Sequence, residues 1–169
     1  MDWNRPRTTK ELYDRFLQFF CIEELVTPEC HAKFKNRGNY FFLSRFDPRL
    51  LTVILWARES IDRPFYANNW HTANPGETVY DERGLRDNLC DIVQGKTQVY
   101  ISGHVLGMAL DFKVKDMPAP KVRQWFIENQ KDCPYPIRLE NNLNGVPISW
   151  VHLDVCDDPY NSKVHLFNV

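Results

Sequence analysis

The pattern of apolar and polar residues along the chain predicts five helices and five strands. Across residues 8–20, Leu12, Phe16, Leu17, Phe19 and Phe20 fall on one side of a helix that Thr8 and Glu11 open as a capping box. Thr27-Pro28 predicts a brief second helix ending near Lys35. Asp47-Pro48 opens the strongest, residues 48–60, with Leu50, Leu51, Ile54, Leu55 and Ala57 as its buried stripe. Residues 118–130 form another, along Val122, Trp125, Phe126 and Asn129, and residues 85–93 read as a helix ended by Gly95. Asn74-Pro75-Gly76 marks a loop after a strand over 64–70.

The remaining strands are 109–114, 136–140, 150–155 and 163–167. In the first, Leu110, Phe112 and Val114 share a face opposite Ala109, Asp111 and Lys113. In the next, Ile137 and Leu139 oppose Arg138 and Glu140. In the third, Val151, Leu153 and Val155 oppose Trp150, His152 and Asp154. Burying the apolar faces brings Asp111, Glu140, His152 and Asp154 together on the other side. The expected fold is α+β, a small, mainly antiparallel sheet with flanking helices. No repeat, linker or low-complexity tract divides the chain, so residues 1–169 are read as one domain whose first 45 residues carry no assignable motif.

Composition narrows the function. Among 169 residues, 43% are hydrophobic and 25% charged, which suits a folded domain that needs no metal or disulfide to hold it together. The formal net charge of -1 supplies no positive field for nucleic acid or an anionic membrane. No run is apolar enough to span a bilayer, and Met1-Asp2-Trp3-Asn4-Arg5-Pro6-Arg7 lacks the pattern of a signal peptide, so synthesis in a cytoplasm is expected. Five cysteines without a C-x-x-C pair point to reduced structural thiols.

Two motifs carry the chemistry. Ser102-x-His104-x-x-Gly107-x-Ala109-x-Asp111 and Trp150-x-His152-x-Asp154 supply two imidazoles and a carboxylate on strands that can pair. A catalytic zinc takes three such ligands and keeps a position open for water, whose pKa it lowers. Two neutral imidazoles and one carboxylate leave the site a net charge of about +1. Gly107 allows a sharp turn and Ala109 leaves room beside Asp111. His31, His71 and His165 lack such company and are read as structural.

These paired motifs resemble those of the zinc D-alanyl-D-alanine carboxypeptidases and phage L-alanyl-D-glutamate endopeptidases, which share a fold with the signalling domain of hedgehog. The likeness is specific at residues 102–112 and 150–155, looser over 48–86, and covers about the C-terminal two-thirds of the chain. It implies a hedgehog/DD-peptidase-like fold, zinc on His104, Asp111 and His152, and a substrate-holding role for Ser102. Gly84-Leu85-Arg86 resembles the family's G-aromatic-R element, making Arg86 the candidate that steadies the developing oxyanion, with Arg83 its nearest rival at the substrate. Trp150 is a packing wall beside the site and, secondarily, a substrate platform. The chain departs from the family at Ser149, where many members place a glutamate as general base. Glu140 becomes the first choice, because a hairpin can set it across from His152; Asp154 is the runner-up, or a group that orients a ligand. The implied activity is hydrolysis of an amide in a peptidoglycan stem peptide, D-Ala-D-Ala or L-Ala-D-Glu, as in a lysis enzyme of a phage or prophage. The alternative is a catalytically silent, zinc-containing binding module on the same fold. Oligomeric state is left open.

Overall fold

A computed structural model describes residues 8–157 and 162–169; the amino-terminal stretch read for a leader, residues 1–7, lies outside them. The elements follow from local chemistry. Helix α1 (Thr9–Phe16) opens on the capping box, Thr8 Oγ accepting from the Glu11 amide at 3.3 Å and the Glu11 carboxylate from the Thr8 amide at 2.9 Å. It stops at Phe16, short of the expected Phe20, because the chain turns there and stacks Phe20 on Phe16 with ring centroids 4.5 Å apart. Thr27 caps α2 (Pro28–Phe34), a short α3 (Asn39–Leu43) follows, and Asp47 caps α4 (Pro48–Ile61). Helix α4 buries Val53 and Trp56 as well as the expected stripe, so it runs through the core rather than along its edge.

Two expected elements are cut short by partners distant in sequence. Strand β1 (Phe65–Tyr66) covers only part of 64–70, since beyond it the Asn68 amide donates to the Glu24 carbonyl at 3.1 Å. The helix expected over 85–93 shrinks to α5 (Asp91–Gln94): the Leu85 amide donates to the Leu25 carbonyl at 2.8 Å and the Arg86 amide to the His104 carbonyl at 3.3 Å, which keeps these residues extended. Then come β2 (Ala109–Val114), α6 (Ala119–Glu128), β3 (Ile137–Leu143), β4 (Val146–Asp154) and β5 (Val164–Asn168).

The five strands form one sheet in the order β1-β2-β4-β3-β5. It is mixed, which corrects the mainly antiparallel expectation: β5 pairs with β3 in parallel, because the chain leaving β4 reverses and lands beyond β3, acquiring its direction. The fold is thus α+β, with helices and one mixed sheet. Phe112, Leu139, Val151 and Leu153 are fully buried on the apolar face, in one cluster with Phe16, Val26, Leu43 and Leu55 of the first half. The opposite face carries two rows across the strands, Asp111–His152–Glu140 and Ala109–Asp154–Arg138. No helix among the described residues is long and apolar enough to cross a membrane.

The β3–β4 ladder breaks after Glu140–His152 and resumes at Asn142–Pro147, so β4 bulges over residues 148–151. Arg123 of α6, only 3% exposed, donates to the carbonyls of Trp150 at 3.1 Å and Ile148 at 3.3 Å. A guanidinium thereby replaces the missing strand, and Trp150 and His152 are carried on a held segment. Arg123→Met, which strands two carbonyls, is expected to cost about 2–4 kcal/mol in urea unfolding; an unchanged midpoint would show that other donors reach them.

Candidate metal centre

His104 sits in a tight turn between the motif glycines. Ser102 Oγ accepts from the Val105 amide at 3.4 Å, and the Met108 amide donates to the Gly103 carbonyl at 2.7 Å. Gly107 has φ of +67°, and a Cβ there would lie 2.1 Å from the Arg45 carbonyl oxygen, so only glycine closes the turn. The His104 ring is buried, with Nδ1 2.8 Å from the Gly84 carbonyl oxygen. A carbonyl only accepts, so Nδ1 holds a proton and Nε2 is the nitrogen left to ligate a metal. Gly84 in turn lies flush on the amino-terminal segment: a Cβ would meet the Leu25 oxygen at 1.9 Å.

Nε2 points at the row formed by β2 and β4. It is 3.2 Å from His152 Nδ1 and 3.4 Å from Asp111 Oδ2, while His152 Nδ1 is 2.7 Å from Asp111 Oδ1. Each of the three residues offers one ligand atom, and these lie within 4.8 Å of one another. Ligand atoms about 3.3 Å apart suit tetrahedral bonds of about 2.0–2.1 Å. Two imidazole nitrogens and a carboxylate converging in a buried place need a cation or a proton between them, so the trio could hold a metal ion.

The electrostatics agree. Burial would raise the Asp111 carboxyl, yet the charges and hydrogen bonds of His104 and His152 outweigh it and hold it well below the usual carboxylate range. Burial would lower His152, but its hydrogen bonds to Asp111 and Asp154 push it up to about 10. His152 Nε2 faces Asp154 Oδ2 at 3.3 Å. Asp154 is clamped by Arg138, Nε at 2.8 Å and Nη2 at 3.1 Å, and by the Cys156 amide at 3.0 Å. Against the cost of burial, the His152 and Arg138 hydrogen bonds keep its carboxyl at about 2. Asp154 therefore stands behind His152 as an orienting group. Glu140, across β3 in the same row as His152, is raised by burial above the ordinary glutamate value, and His152 only partly offsets this.

Arg86 Nη2 lies 3.5 Å from Asp111 Oδ2, its Nε donating to the Glu82 carbonyl at 2.8 Å. A cleft of about 290 Å³ opens onto Asp111, lined also by Arg83, Arg86, Tyr80 and Trp150. Ser102 is not among the residues lining that cleft, and Ser149 is exposed on β4. His31 pairs with Glu23 at 3.3 Å and His71 meets Cys21 at 3.4 Å, both outside the trio; all five cysteines are free. Two contributors escaped the sequence reading. The Gly84 carbonyl carries no side-chain signal at all. Arg138 had one, its place on the polar face beside Glu140, from which its pairing with Asp154 could have been drawn.

Compared with known protein families, with curated proteins and with solved structures, the chain returns no match.

Because His152 holds its second proton up to about pH 10, a metal ion must displace it. Zinc affinity is expected to rise about tenfold per pH unit between about pH 6 and 8. Calorimetry in buffers of different ionisation heat should count about one proton released per zinc, and a pH-independent affinity would show that His152 is already neutral.

Proposed function

We propose that this protein is a zinc-dependent peptidase that hydrolyses an amide bond in the stem peptides of peptidoglycan. The observation that carries the reading is the convergence of His104 Nε2, Asp111 and His152 Nδ1, with Asp111 also lining a cleft shared with Arg86 and Trp150. The resemblance of the two motifs to the zinc carboxypeptidases and phage endopeptidases supplies the substrate class and favours zinc over other ions; a hedgehog/DD-peptidase-like fold belongs to the same proposal. Bound there, zinc would polarise the scissile carbonyl and acidify water.

The protein groups divide the remaining work. Glu140 takes a proton from the attacking water and returns it to the leaving amine; its raised carboxyl is better matched to that exchange than Asp154, whose two oxygens are held by Arg138 and His152. Arg86, fixed by the Glu82 carbonyl and facing Asp111, meets the charge that develops on the carbonyl oxygen. Asp154 and the Gly84 carbonyl hold the two imidazoles in their ligating tautomers. Trp150 forms a wall of the cleft. A phage or prophage lysis enzyme acting on the cell wall is the setting this activity fits.

The exposed Ser149, standing where the family places its glutamate, favours a second reading, a catalytically silent zinc-containing module that binds the same peptides. Purified protein incubated with peptidoglycan fragments, with and without chelator, separates the two by product mass. Chelator-sensitive cleavage supports the peptidase and identifies the bond; zinc content without cleavage supports the module. Glu140→Gln is expected to keep zinc and lose about a hundred- to ten-thousandfold in turnover. Full activity in that variant would remove Glu140 from the mechanism.

A further inference from the structure

The two arginines of the cleft are used differently. Arg86 is paired with Asp111. Arg83 makes no ion pair among the described residues: its guanidinium lies 3.5 Å over the Tyr80 ring, and Nη1 donates to the Ala67 carbonyl at 3.3 Å. Asp81 and Glu82 line the same wall, yet neither pairs with it, Glu82 accepting instead from the Ile92 amide at 3.1 Å.

The backbone of Arg83 is fixed on both sides. Its amide donates to Asn68 Oδ1 at 2.8 Å, and its carbonyl accepts from the amide of Asp111 at 2.8 Å. Asn68, only 2% exposed, is itself anchored to the carbonyls of Glu24 and Val26. A half-buried guanidinium is therefore stacked, oriented and joined through its own backbone to a proposed metal ligand, with most of its donors unspent. Withdrawing such a cation from water without a paired acid costs free energy that the nearby Asp111 carboxylate and the Tyr80 side chain offset only in part, and a planar anion that accepts two parallel N–H bonds recovers it.

We infer that Arg83 is the anchor for a carboxylate of the ligand that occupies this cleft, so that the substrate is an amide carrying a carboxylate close to the bond cut. The inference rests on the reading of the cleft as the substrate site. A carboxylate at the end of a peptide and one on a side chain share this chemistry, and they differ in whether the enzyme trims an end or cuts within a chain.

The test uses zinc-loaded, nitrogen-labelled protein titrated with three small ligands. N-acetyl-D-alanine offers a terminal carboxylate and its amide offers none. N-acetyl-L-alanyl-D-glutamic acid with its main-chain carboxyl amidated offers only a side-chain carboxylate. At least one acid is expected to shift the Arg83 Nε–H resonance and to bind about tenfold or more tightly than the neutral amide. The tighter of the two acids identifies the source of the carboxylate. Arg83→Gln is expected to abolish the preference at unchanged zinc content, and Arg83→Lys, which keeps the charge but loses the fork, to retain part of it. Equal binding of acids and amide, or a preference that survives Arg83→Gln, overturns the inference. The peptidase reading fails separately: an intact carboxylate preference without chelator-sensitive turnover removes the hydrolase and leaves the anchor standing.

Discussion

The antiparallel register that sets Asp111 opposite His152 is the constraint on which the rest depends. Side chains alternate along a strand, so one register decides both the core and the site. Leu110 and Phe112 go inward with Val151 and Leu153, and Asp111 and His152 must then share the outer face. A slip of one residue would turn every one of these side chains over, exposing the apolar set and burying the charges. The stability of the sheet therefore enforces the geometry of the candidate centre, and a polar row this expensive to bury is held in place by the apolar row beneath it.

Support for that row comes from outside the sheet. The segment from Glu24 to Thr27 binds the stretches that carry Asn68, Leu85 and Asp87, the last through the Thr27 hydroxyl at 2.6 Å. Through Gly84 it reaches Nδ1 of His104, and through Asn68 it reaches Arg83. On the other side, Arg138 and Asp154 fix His152, and Arg123 holds the bulge just before it. The imidazoles are thus oriented by groups that need not move when an ion enters, which is what a preorganised site requires.

Much of this was legible where a single local rule decides the outcome. Strand 109–114 matches its expected bounds because one face is apolar without exception, and the caps Thr8, Thr27 and Asp47 each open the helix they announce. The hairpin that brings Glu140 across from His152 followed from alternation in two segments. Legibility fails where distant backbone decides. Asn68, Trp70 and Leu85 left their expected elements to bond with the amino-terminal segment, and Arg86 to bond with His104, and nothing local announces such partners. The parallel placement of β5 depends on the path taken after β4. Arg123 sits among the polar residues of an amphipathic helix, so its burial under a strand bulge is invisible until the bulge is known. Residues 8–45 lack a motif because their contribution is packing and main-chain hydrogen bonding.

The central claim is that two imidazoles and one carboxylate, brought together by that register, bind one metal ion. X-ray absorption at the zinc edge of the zinc-loaded protein tests it most directly. The account predicts one zinc per chain with only nitrogen and oxygen neighbours at about 2.0–2.1 Å and the outer-shell scattering of two imidazoles. Sulfur neighbours at about 2.3 Å, or a spectrum unchanged when His104 and His152 are both replaced by alanine, would contradict it.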